Sequence, residues 1–338
     1  MKYCEGKTMC FRKPSVIAYA AVVGKAENEG PYGGEFDEVV EDNKAGSDTW
    51  EQAESLFQQR AVGHVLRKSG LEPDRIDLMI AGDLLNQCIG SFLASMHSDV
   101  PYLGQYGACS TMAQGLALGG VLVESGAAAR LAVSASSHFC SAERQYRFPL
   151  AYGGQRTPTA QWTATAAGAA VLGAEGGSSV RMTHVLFGKM IELGVKDANN
   201  MGAAMAMAAL DTILQNFRDL GVDETHYDKI ITGDLGTVGR RLLLDYLMKA
   251  GYRIESRYMD CGIEMFSPEE QDTHAGGSGC GCSAAVLCGF VLPKIRNGEW
   301  KRVLFLPTGA LLSTVSFNEG KSVPGIAHGV VLETPDFL

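Results

Sequence analysis

The sequence contains an internal repeat, and this repeat constrains the fold more than any other feature. Residues 70–84 (GLEPDRIDLMIAGDL) align without a gap to residues 221–235 (GVDETHYDKIITGDL), at an offset of 151 positions. Six of the fifteen aligned positions are identical. At nearly the same offset, GACSTM in the first half corresponds to DCGIEM in the second. Self-similarity at a fixed offset indicates two related structural units in one chain.

Each copy of the repeat follows a segment with helical periodicity. In Trp50–Ser69 and Met201–Leu220, apolar residues recur every three to four positions, which predicts two amphipathic helices. Gly70 and Gly221 come directly after these segments. Glycine is favoured there because the residue that ends a helix often adopts a left-handed conformation.

Short apolar segments typical of strands follow at matching places in both halves. They are Leu78–Ala81 and Leu131–Ser134 in the first half, and Ile230–Thr232 and Arg302–Leu306 in the second. No long polar linker separates the halves, so we predict two fused α/β units that share an interface. The predicted units are residues 1–180 and residues 181–338.

Charge and hydropathy exclude several classes of partner. The 338 residues carry a formal net charge of −9 and no basic stripe, which argues against nucleic acid and against direct docking on an anionic membrane. No apolar run approaches the roughly 18 residues expected of a membrane-spanning helix. The N-terminal residues lack an apolar segment after their charges, so we expect no secretory signal peptide.

The nine cysteines do not form a recognisable metal or disulfide pattern. Their number is odd and their spacing irregular, so we expect reduced thiols, as in a cytosol-like compartment. Cys280 and Cys282 form a C-x-C pair without a second pair, and a glycine-rich turn explains them better than a metal site does. We expect no metal and no cofactor.

Cys109 is the strongest candidate for a reactive group. It lies in GQYGACSTM, after a glycine turn and at the start of a long uncharged segment that predicts a buried helix. The helix dipole and the free N–H groups at a helix N-terminus favour a thiolate and also suit a bound carboxylate or oxyanion. We therefore predict a lowered pKa for Cys109.

The two halves and the GACS turn resemble the thiolase and β-ketoacyl synthase superfamily, and the closer resemblance is to the stage V sporulation protein AD family of endospore-forming bacteria. The motifs that carry this resemblance occur in order along almost the whole chain. They are AGDLLNQ (81–87), GACSTM (107–112), SSHFCSAERQYRFP (136–149), YGGQRTPTA (152–160), TGDLGTVG (232–239), DCGIEMFSPEEQ (260–271), HAGGSGCGCSA (274–284), PTGALLS (307–313) and IAHGVVLE (326–333).

The resemblance implies both a fold and a function. The fold is a duplicated thiolase-like αβαβα layered sandwich, and the implied assembly is a homodimer. The implied function is to bind dipicolinic acid (pyridine-2,6-dicarboxylate), with or without calcium, and to load it into the developing spore together with SpoVA membrane proteins. Because no spanning helix is expected, the implied location is peripheral, at the spore inner membrane, through these protein partners.

The chain departs from the catalytic pattern of this superfamily. The resemblance assigns the nucleophile position to Cys109, but the second-half groups that pair with it, usually imidazoles, correspond here to Cys261 and Ser278. His274 is four residues from Ser278 and precedes the glycines, and His328 lies in a turn that borders the cleft in thiolase-like folds. Condensation needs a general base, so the site suits binding better than turnover.

Two other functions remain open. One is an active acyltransferase or condensing enzyme that uses Cys109 as its nucleophile. The other is an architectural partner of the membrane subunits, with a vestigial cleft.

A planar dianion needs donors for both of its carboxylates. The turn around Cys109 is expected to hold one carboxylate, and nearby arginines, including Arg156, the other, with Tyr146, Phe148 and Tyr152 facing the ring. Asp83 and Asp234 follow strands, where a turn-capping role and a site role are both open, and calcium would favour a site role for Asp83. The predicted ligand-binding residues are Asp83, Cys109, Ser110, Arg144, Arg147, His274 and Ser278.

Overall fold

The computed structural model describes residues 2–4, 6–96, 98–146, 156–174 and 180–334. Its strands up to residue 174 are β1 (Lys2–Tyr3), β2 (Met9–Cys10), β3 (Ser15–Gly24), β4 (Glu38–Val40), β5 (Leu78–Gly82), β6 (Tyr102–Gly104), β7 (Arg130–Ser137), β8 (Trp162–Thr163) and β9 (Ala166–Gly173). The strands that follow are β10 (Val180–Leu186), β11 (Lys229–Thr232), β12 (Tyr258–Asp260), β13 (Gly277–Ser278), β14 (Arg302–Leu306), β15 (Thr308–Ala310), β16 (Gly325–Ala327) and β17 (Gly329–Glu333).

The described helices alternate with these strands. They are α1 (Lys25–Asn28), α2 (Trp50–Ser69), α3 (Ile89–Ser95), α4 (Thr111–Ser125), α5 (Phe139–Tyr146), α6 (Met201–Leu220), α7 (Gly236–Lys249), α8 (Cys261–Met265), α9 (Pro268–Gln271), α10 (Cys280–Val286), α11 (Leu292–Arg296) and α12 (Thr314–Asn318). A π-helical turn, Leu287–Val291, joins α10 to α11, and 3₁₀ turns occupy Pro73–Arg75, Asn86–Cys88 and Glu224–His226.

The two halves have the same strand topology. In the first half the strands lie in the order β6-β5-β7-β9-β3, and in the second in the order β12-β11-β14-β17-β10. In each half the first three strands of this order pair in parallel with their neighbours. The fourth strand pairs antiparallel with both the third and the fifth. A short antiparallel pairing of β3 with β10 connects the halves. The duplication inferred from the sequence repeat is therefore present in the structure.

Equivalent residues of the repeat make equivalent hydrogen bonds. Asp77 accepts hydrogen bonds from the backbone N–H groups of residues 129 and 130, at 2.6 and 3.0 Å. Asp228 accepts the corresponding bonds from residues 301 and 302, at 2.6 and 2.9 Å. Gly70 and Gly221 end α2 and α6 in the left-handed conformation, with φ of 66° and 64°. Both helix predictions and both glycine predictions are confirmed.

Five layers are packed through three buried clusters, the largest of which lies on both sides of the central helices. Helix α2 packs on β3 and β9 on the outer face of the first sheet, through Phe57, Ala61 and Val65. Helix α6 packs on the outer face of the second sheet, where Ile213 and Phe217 meet strands β11, β14 and β17. Helices α4 and α10 lie between the two sheets within the largest cluster. The arrangement is an αβαβα sandwich, as predicted.

Glycine permits the close packing of α10 on the first sheet. A Cβ on Gly168 of β9 would lie 2.4 Å from the carbonyl oxygen of Ala284. A Cβ on Gly281 would lie 2.2 Å from the carbonyl oxygen of Ala166. These approaches are shorter than real Cβ contacts, so α10 reaches the sheet only because both positions lack a side chain. This places the start of α10, and Ser278 just before it, at the centre of the molecule.

The cysteines differ from the sequence prediction at one place. Cys4 and Cys10 form a disulfide across the β1–β2 hairpin, so the expectation of reduced thiols is wrong for this pair. The other seven cysteines are free, and Cys280 and Cys282 lie buried at the start of α10. In the described ranges, no helix combines the length and the apolarity needed to cross a bilayer.

Candidate functional site

Cys109 lies two residues before the first residue of α4, in a tight turn. Ala108 has a positive φ of 47°, a conformation that non-glycine residues rarely adopt. The Thr111 hydroxyl donates a hydrogen bond to the carbonyl oxygen of Ala108 at 2.6 Å, which holds the turn from inside the helix. Cys109 is only 5% exposed. The fold therefore presents its thiol to the protein interior rather than to open solvent.

Two residues of the second half reach the thiol. The Oγ atom of Ser278 lies 3.7 Å from the Sγ of Cys109. Ser278 in turn donates a hydrogen bond to Oδ2 of Asp234 at 2.9 Å. Asp234 follows β11 and Ser278 ends β13, so the carboxyl ends of strands from separate segments converge on Cys109. We call Cys109, Asp234, Ser278 and Thr308 the central cluster.

Asp234 is fully buried and holds the central cluster together. Its Oδ1 accepts a hydrogen bond from the Thr308 hydroxyl at 2.9 Å, and its Oδ2 also accepts one from the N–H of Gly279 at 3.3 Å. Burial raises the pKa of Asp234 to about 7, although hydrogen bonds from Cys109, Thr308 and Ser278 favour its ionised form. The carboxyl group is therefore poised to change its charge near neutral pH.

The pKa of Cys109 is raised well above its ordinary value, and the prediction of a lowered pKa is wrong. Burial of the thiol is the largest cause, and the neighbouring Asp234 adds to it through its negative charge and as a hydrogen-bond acceptor for the thiol proton. The helix N-terminus favours a thiolate, but these two effects outweigh it. At neutral pH the group at the nucleophile position is a thiol.

Ser110 and His328 close the other side of the turn. The backbone N–H of His328 donates a hydrogen bond to the Ser110 hydroxyl at 3.0 Å. Burial lowers the pKa of His328 to about 4, and its Nδ1 accepts a hydrogen bond from the N–H of Gly188 at 3.2 Å. The imidazole is therefore neutral at pH 7. Its described hydrogen bonds hold the backbone near Ser110 and do not include the Cys109 thiol.

Cys261 lies beside the central cluster but is not among the hydrogen-bond partners described for Cys109. It begins α8 and is fully buried. The adjacent Asp260 accepts hydrogen bonds from the Thr232 hydroxyl at 2.6 Å and from the N–H of Leu235 at 2.8 Å. Asp234, which the sequence left open between a turn cap and a site residue, adjoins the thiol instead. Because 125 positions separate Asp234 from Cys109 in the chain, no sequence pattern indicated this contact.

Asp83 is buried beside another acidic residue, Glu54. Its carboxylate accepts hydrogen bonds from the N–H of Leu85 at 2.8 Å and from the N–H and hydroxyl of Ser91, both at 2.7 Å. A Cβ on Gly90 would lie 3.3 Å from the carboxyl carbons of both Asp83 and Glu54. Burial and the charge of Asp83 raise the pKa of Glu54 to about 8. The described bonds of Asp83 hold the turn after β5, and its binding of a ligand stays a prediction.

The predicted arginines and His274 occupy separate places. Arg144 forms an ion pair with Glu51 at the protein surface, and Arg147 lies outside the described residues, as do Phe148 and Tyr152. His274 places its Nδ1 2.7 Å from the carbonyl oxygen of Thr157 and its Nε2 2.9 Å from Asp272. These contacts tie His274 to neighbouring loops. Direct ligand contacts by these residues stay predictions.

Arg156 and Trp162 form a cation–π pair at β8, the strand that pairs with the strand ending at Ser278. The guanidinium of Arg156 lies 4.8 Å from the ring centre of Trp162, which stacks on Phe139 at 3.9 Å. Strand β8 pairs in parallel with β13, and Trp162 lies next to the residue paired with Ser278. In the part of the chain that the structure describes, the Nη1 of Arg156 is buried and has no hydrogen-bond partner.

Solved structures share this architecture over almost their whole length. OleA from Xanthomonas campestris superposes with a TM-score of 0.59 at 14% identity, covering 96% of this chain and 99% of that chain. The 3-oxoacyl-[acyl-carrier-protein] synthase III of Aquifex aeolicus gives a TM-score of 0.56 at 14% identity, with 95% and 99% covered. At this identity the similarity establishes the fold. The molecule is thus a protein of the thiolase-like fold class.

Sequence comparison identifies the family within that class. The family described as "Stage V sporulation protein AD (SpoVAD)" matches residues 5–333. The stage V sporulation protein AD of Bacillus subtilis (strain 168) is 40% identical over 334 residues, which covers 98% of this chain and 98% of that protein. The chain belongs to the stage V sporulation protein AD family, whose name assigns it to stage V of spore formation.

Proposed function

We propose that the protein binds dipicolinate at the central cluster without catalysing a reaction, and that it serves SpoVA membrane proteins in loading the spore. One observation carries the non-catalytic part of this proposal. The groups beside the Cys109 thiol are a hydroxyl and a carboxyl, and none of its described hydrogen-bond partners is an imidazole. A protonated thiol is a poor nucleophile, and a condensing reaction needs a group that takes up its proton.

The chemistry near the central cluster supports a ligand that carries a carboxylate. The unpartnered Nη1 of Arg156 is a buried donor, and burying such a donor without an acceptor costs free energy that a carboxylate would recover. Trp162 lies beside it and holds the guanidinium against one face of its ring, while the other face stacks on Phe139. The Ser278 hydroxyl is a further polar group next to Cys109. Together Arg156 and Ser278 suit one carboxylate and a second polar contact.

The charge of Asp234 makes calcium a relevant variable. A dicarboxylate dianion next to an ionised Asp234 meets repulsion, which a bound hard cation would offset. Protonation of Asp234 would offset it as well, because its pKa is about 7. Binding of free dipicolinate should therefore strengthen as the pH falls from 8 to 6, and calcium should reduce this dependence.

Calorimetric titration of the purified protein with dipicolinate, with and without calcium, tests the proposal. We expect saturable binding that Arg156→Gln weakens by about tenfold or more, since a charge-assisted hydrogen bond is lost. Arg218→Gln is the matched control, because Arg218 is exposed and its described side-chain hydrogen bond goes to Gln215. Absence of binding under both conditions would overturn the proposal.

The condensing-enzyme fold favours one alternative, an acyltransferase that uses Cys109. Intact-mass analysis after mixing with acyl-coenzyme A separates the two functions. We expect no stable adduct, because the thiol is held protonated. An adduct that forms on the natural protein and is absent from Cys109→Ser would establish the alternative.

We also propose a homodimer that pairs through the β6 edge of the first sheet. All three residues of β6 are exposed, and β6 contacts α3, in which Phe92 is exposed. Met96, directly after α3, is exposed as well. An exposed apolar edge strand is a natural site for pairing with a second copy. Sedimentation analysis should give a dimer, and Leu103→Lys should shift it toward monomer. A natural protein that sediments as a monomer at high micromolar concentration would refute this.

The remaining proposal concerns location. With net charge −9, attraction to an anionic membrane has to come through protein partners. Flotation with vesicles carrying SpoVA proteins should recover the protein, whereas plain anionic vesicles should not. If Cys109→Ala and Ser278→Ala abolish dipicolinate binding but not this recovery, docking and ligand binding are separate. If the natural protein binds no dipicolinate and neither variant changes the recovery with SpoVA vesicles, the purely architectural role is favoured.

A further inference from the structure

A second group of chemically active side chains lies apart from the central cluster in the fold, at the N-terminal hairpin. Cys4 and Cys10 flank the turn between β1 and β2, and His184 of β10 is the cross-strand neighbour of Cys10. The two sulfur atoms and one ring nitrogen of His184 all lie within 4.8 Å of one another. All three residues are partly buried. We call them the hairpin cluster.

Hydrogen bonding fixes which nitrogen of His184 is available. The Thr183 hydroxyl donates its single proton to Oε1 of Glu333 at 3.0 Å. The same hydroxyl oxygen lies 2.9 Å from the Nδ1 of His184, so it can only accept a hydrogen bond from an Nδ1–H group. In the neutral imidazole, Nε2 then carries the free lone pair.

The Thr183 hydroxyl and the Glu333 carboxylate, which together orient His184, form a relay that is itself held in place. Arg302 donates a hydrogen bond from Nε to Oε1 of Glu333 at 2.9 Å, so the carboxylate is held between Arg302 and Thr183. A histidine that donates its second N–H into a hydroxyl–carboxylate chain is the arrangement typically found behind metal-bound imidazoles. The charged and titratable groups that act on His184 are Glu333, His226 and Arg302.

The two cysteines are close enough to bind one ion when they are reduced. Their Cα atoms lie 6.0 Å apart. Two thiolates bound at about 2.3 Å to a tetrahedral zinc ion are about 3.8 Å apart, which rotation of the two short side chains can provide across this hairpin. Thiolate and imidazole ligands suit zinc, whereas hard cations prefer oxygen.

We propose that the hairpin cluster is a redox-controlled zinc site. In the oxidised protein Cys4 and Cys10 are joined, and no thiolate is available. A dithiol or phosphine reductant supplies two electrons and, with two protons from solvent, yields two thiols. Zinc then displaces both thiol protons and binds Cys4, Cys10 and the Nε2 of His184, with a water molecule as the fourth ligand. The disulfide and the bound ion exclude each other.

Zinc and cobalt titrations of the full chain test this proposal. After phosphine reduction we expect one zinc ion per chain, and with cobalt a thiolate-to-metal charge-transfer band. Cys10→Ser should abolish both signals, and His184→Gln should weaken zinc binding at least tenfold. Cys140→Ser is the matched control, because Cys140 is a free, partly buried thiol outside the hairpin cluster. Thr183→Val should weaken zinc binding by about tenfold through loss of the relay.

The zinc titrations have outcomes that support the site and outcomes that exclude it. Zinc bound by the reduced protein and not by the oxidised protein, with dependence on Cys10 and His184, supports the site. Equal zinc binding by the reduced natural protein and the Cys10→Ser variant would overturn it, as would binding that His184→Gln leaves unchanged. His184→Gln retains both cysteines, so melting of its oxidised form shows whether a loss of zinc binding reflects misfolding.

Discussion

The hydroxyl of Ser278 lies 3.7 Å from the thiol of Cys109, although 169 positions separate them in the chain. This contact joins the two halves of the duplicated fold at one point. Ser278 also donates a hydrogen bond to Asp234, so the thiol, the hydroxyl and the carboxyl act as one coupled group. The chemical character of the site follows from this coupling rather than from Cys109 alone.

Removing the charge of Asp234 should make Cys109 more reactive. Asp234→Asn removes a negative neighbour that raises the pKa of the thiol, although burial continues to raise it. We expect alkylation of Cys109 by iodoacetamide at pH 8 to become severalfold faster. Cys140, measured by mass spectrometry in the same digest, is the internal reference. An unchanged Cys109-to-Cys140 ratio in a variant that melts normally would contradict this prediction.

Glu27 should make stability fall as the pH rises. It is buried, and burial raises its pKa from 4.5 to about 7. Between these values the unfolded chain loses its proton while the folded protein keeps it, so the folded state loses about 3 kcal/mol relative to the unfolded state across this window.

Glu27→Gln should remove this dependence, because an amide does not lose a proton in this pH range. The amide oxygen can still accept the hydrogen bond from the N–H of Thr165. Urea unfolding at pH 5 and pH 8 measures the difference between the two proteins, in which titration of all other groups largely cancels. The variant should gain stability relative to the natural protein at pH 8. An equal difference in unfolding free energy between the two proteins at both pH values would show that Glu27 does not cause the pH dependence.

Gly309 should be essential for the turn that presents Cys109. A Cβ at this position would lie 2.4 Å from the carbonyl oxygen of Gly107, which is backbone and cannot move aside. Gly309→Ala should lower the free energy of unfolding by about 2 kcal/mol and weaken dipicolinate binding.

Gly63→Ala makes the same chemical change inside α2, where the nearest atom is the flexible end of Arg67 at 3.4 Å. It should stabilise the protein by about 0.5–1 kcal/mol, because alanine is the better helix residue. Chemical denaturation measures both effects. A loss of similar size in the two variants would show that close packing at Gly309 is not the cause.

The repeated aspartates should contribute equally. Asp77 and Asp228 each accept two backbone hydrogen bonds between equivalent strand starts. Asp77→Ala and Asp228→Ala should each lower the free energy of unfolding by about 1–2 kcal/mol, and the double variant should lose the sum, because the sites are independent. Losses that differ by more than about 1 kcal/mol would show that the two copies have diverged energetically.

Short-range patterns were sufficient to predict much of the fold. Apolar residues at helical spacing predicted α2 and α6 at their observed bounds, and a glycine after each predicted its left-handed end. The strand after each glycine was also predicted, and β5 and β11 are each one residue longer than expected. These features depend on local backbone conformation and on which face of an element is apolar, and both are written in neighbouring residues.

The sequence by itself determined the duplication, the order of elements and the place of Cys109 before a buried helix. Only the tertiary structure decided that Asp234 rather than Cys261 adjoins the thiol, that burial raises its pKa, and that Cys4 pairs with Cys10 next to His184. These properties depend on contacts between residues far apart in the sequence. The pKa of a side chain in particular depends on its burial and on the charges packed around it, which only the folded structure shows.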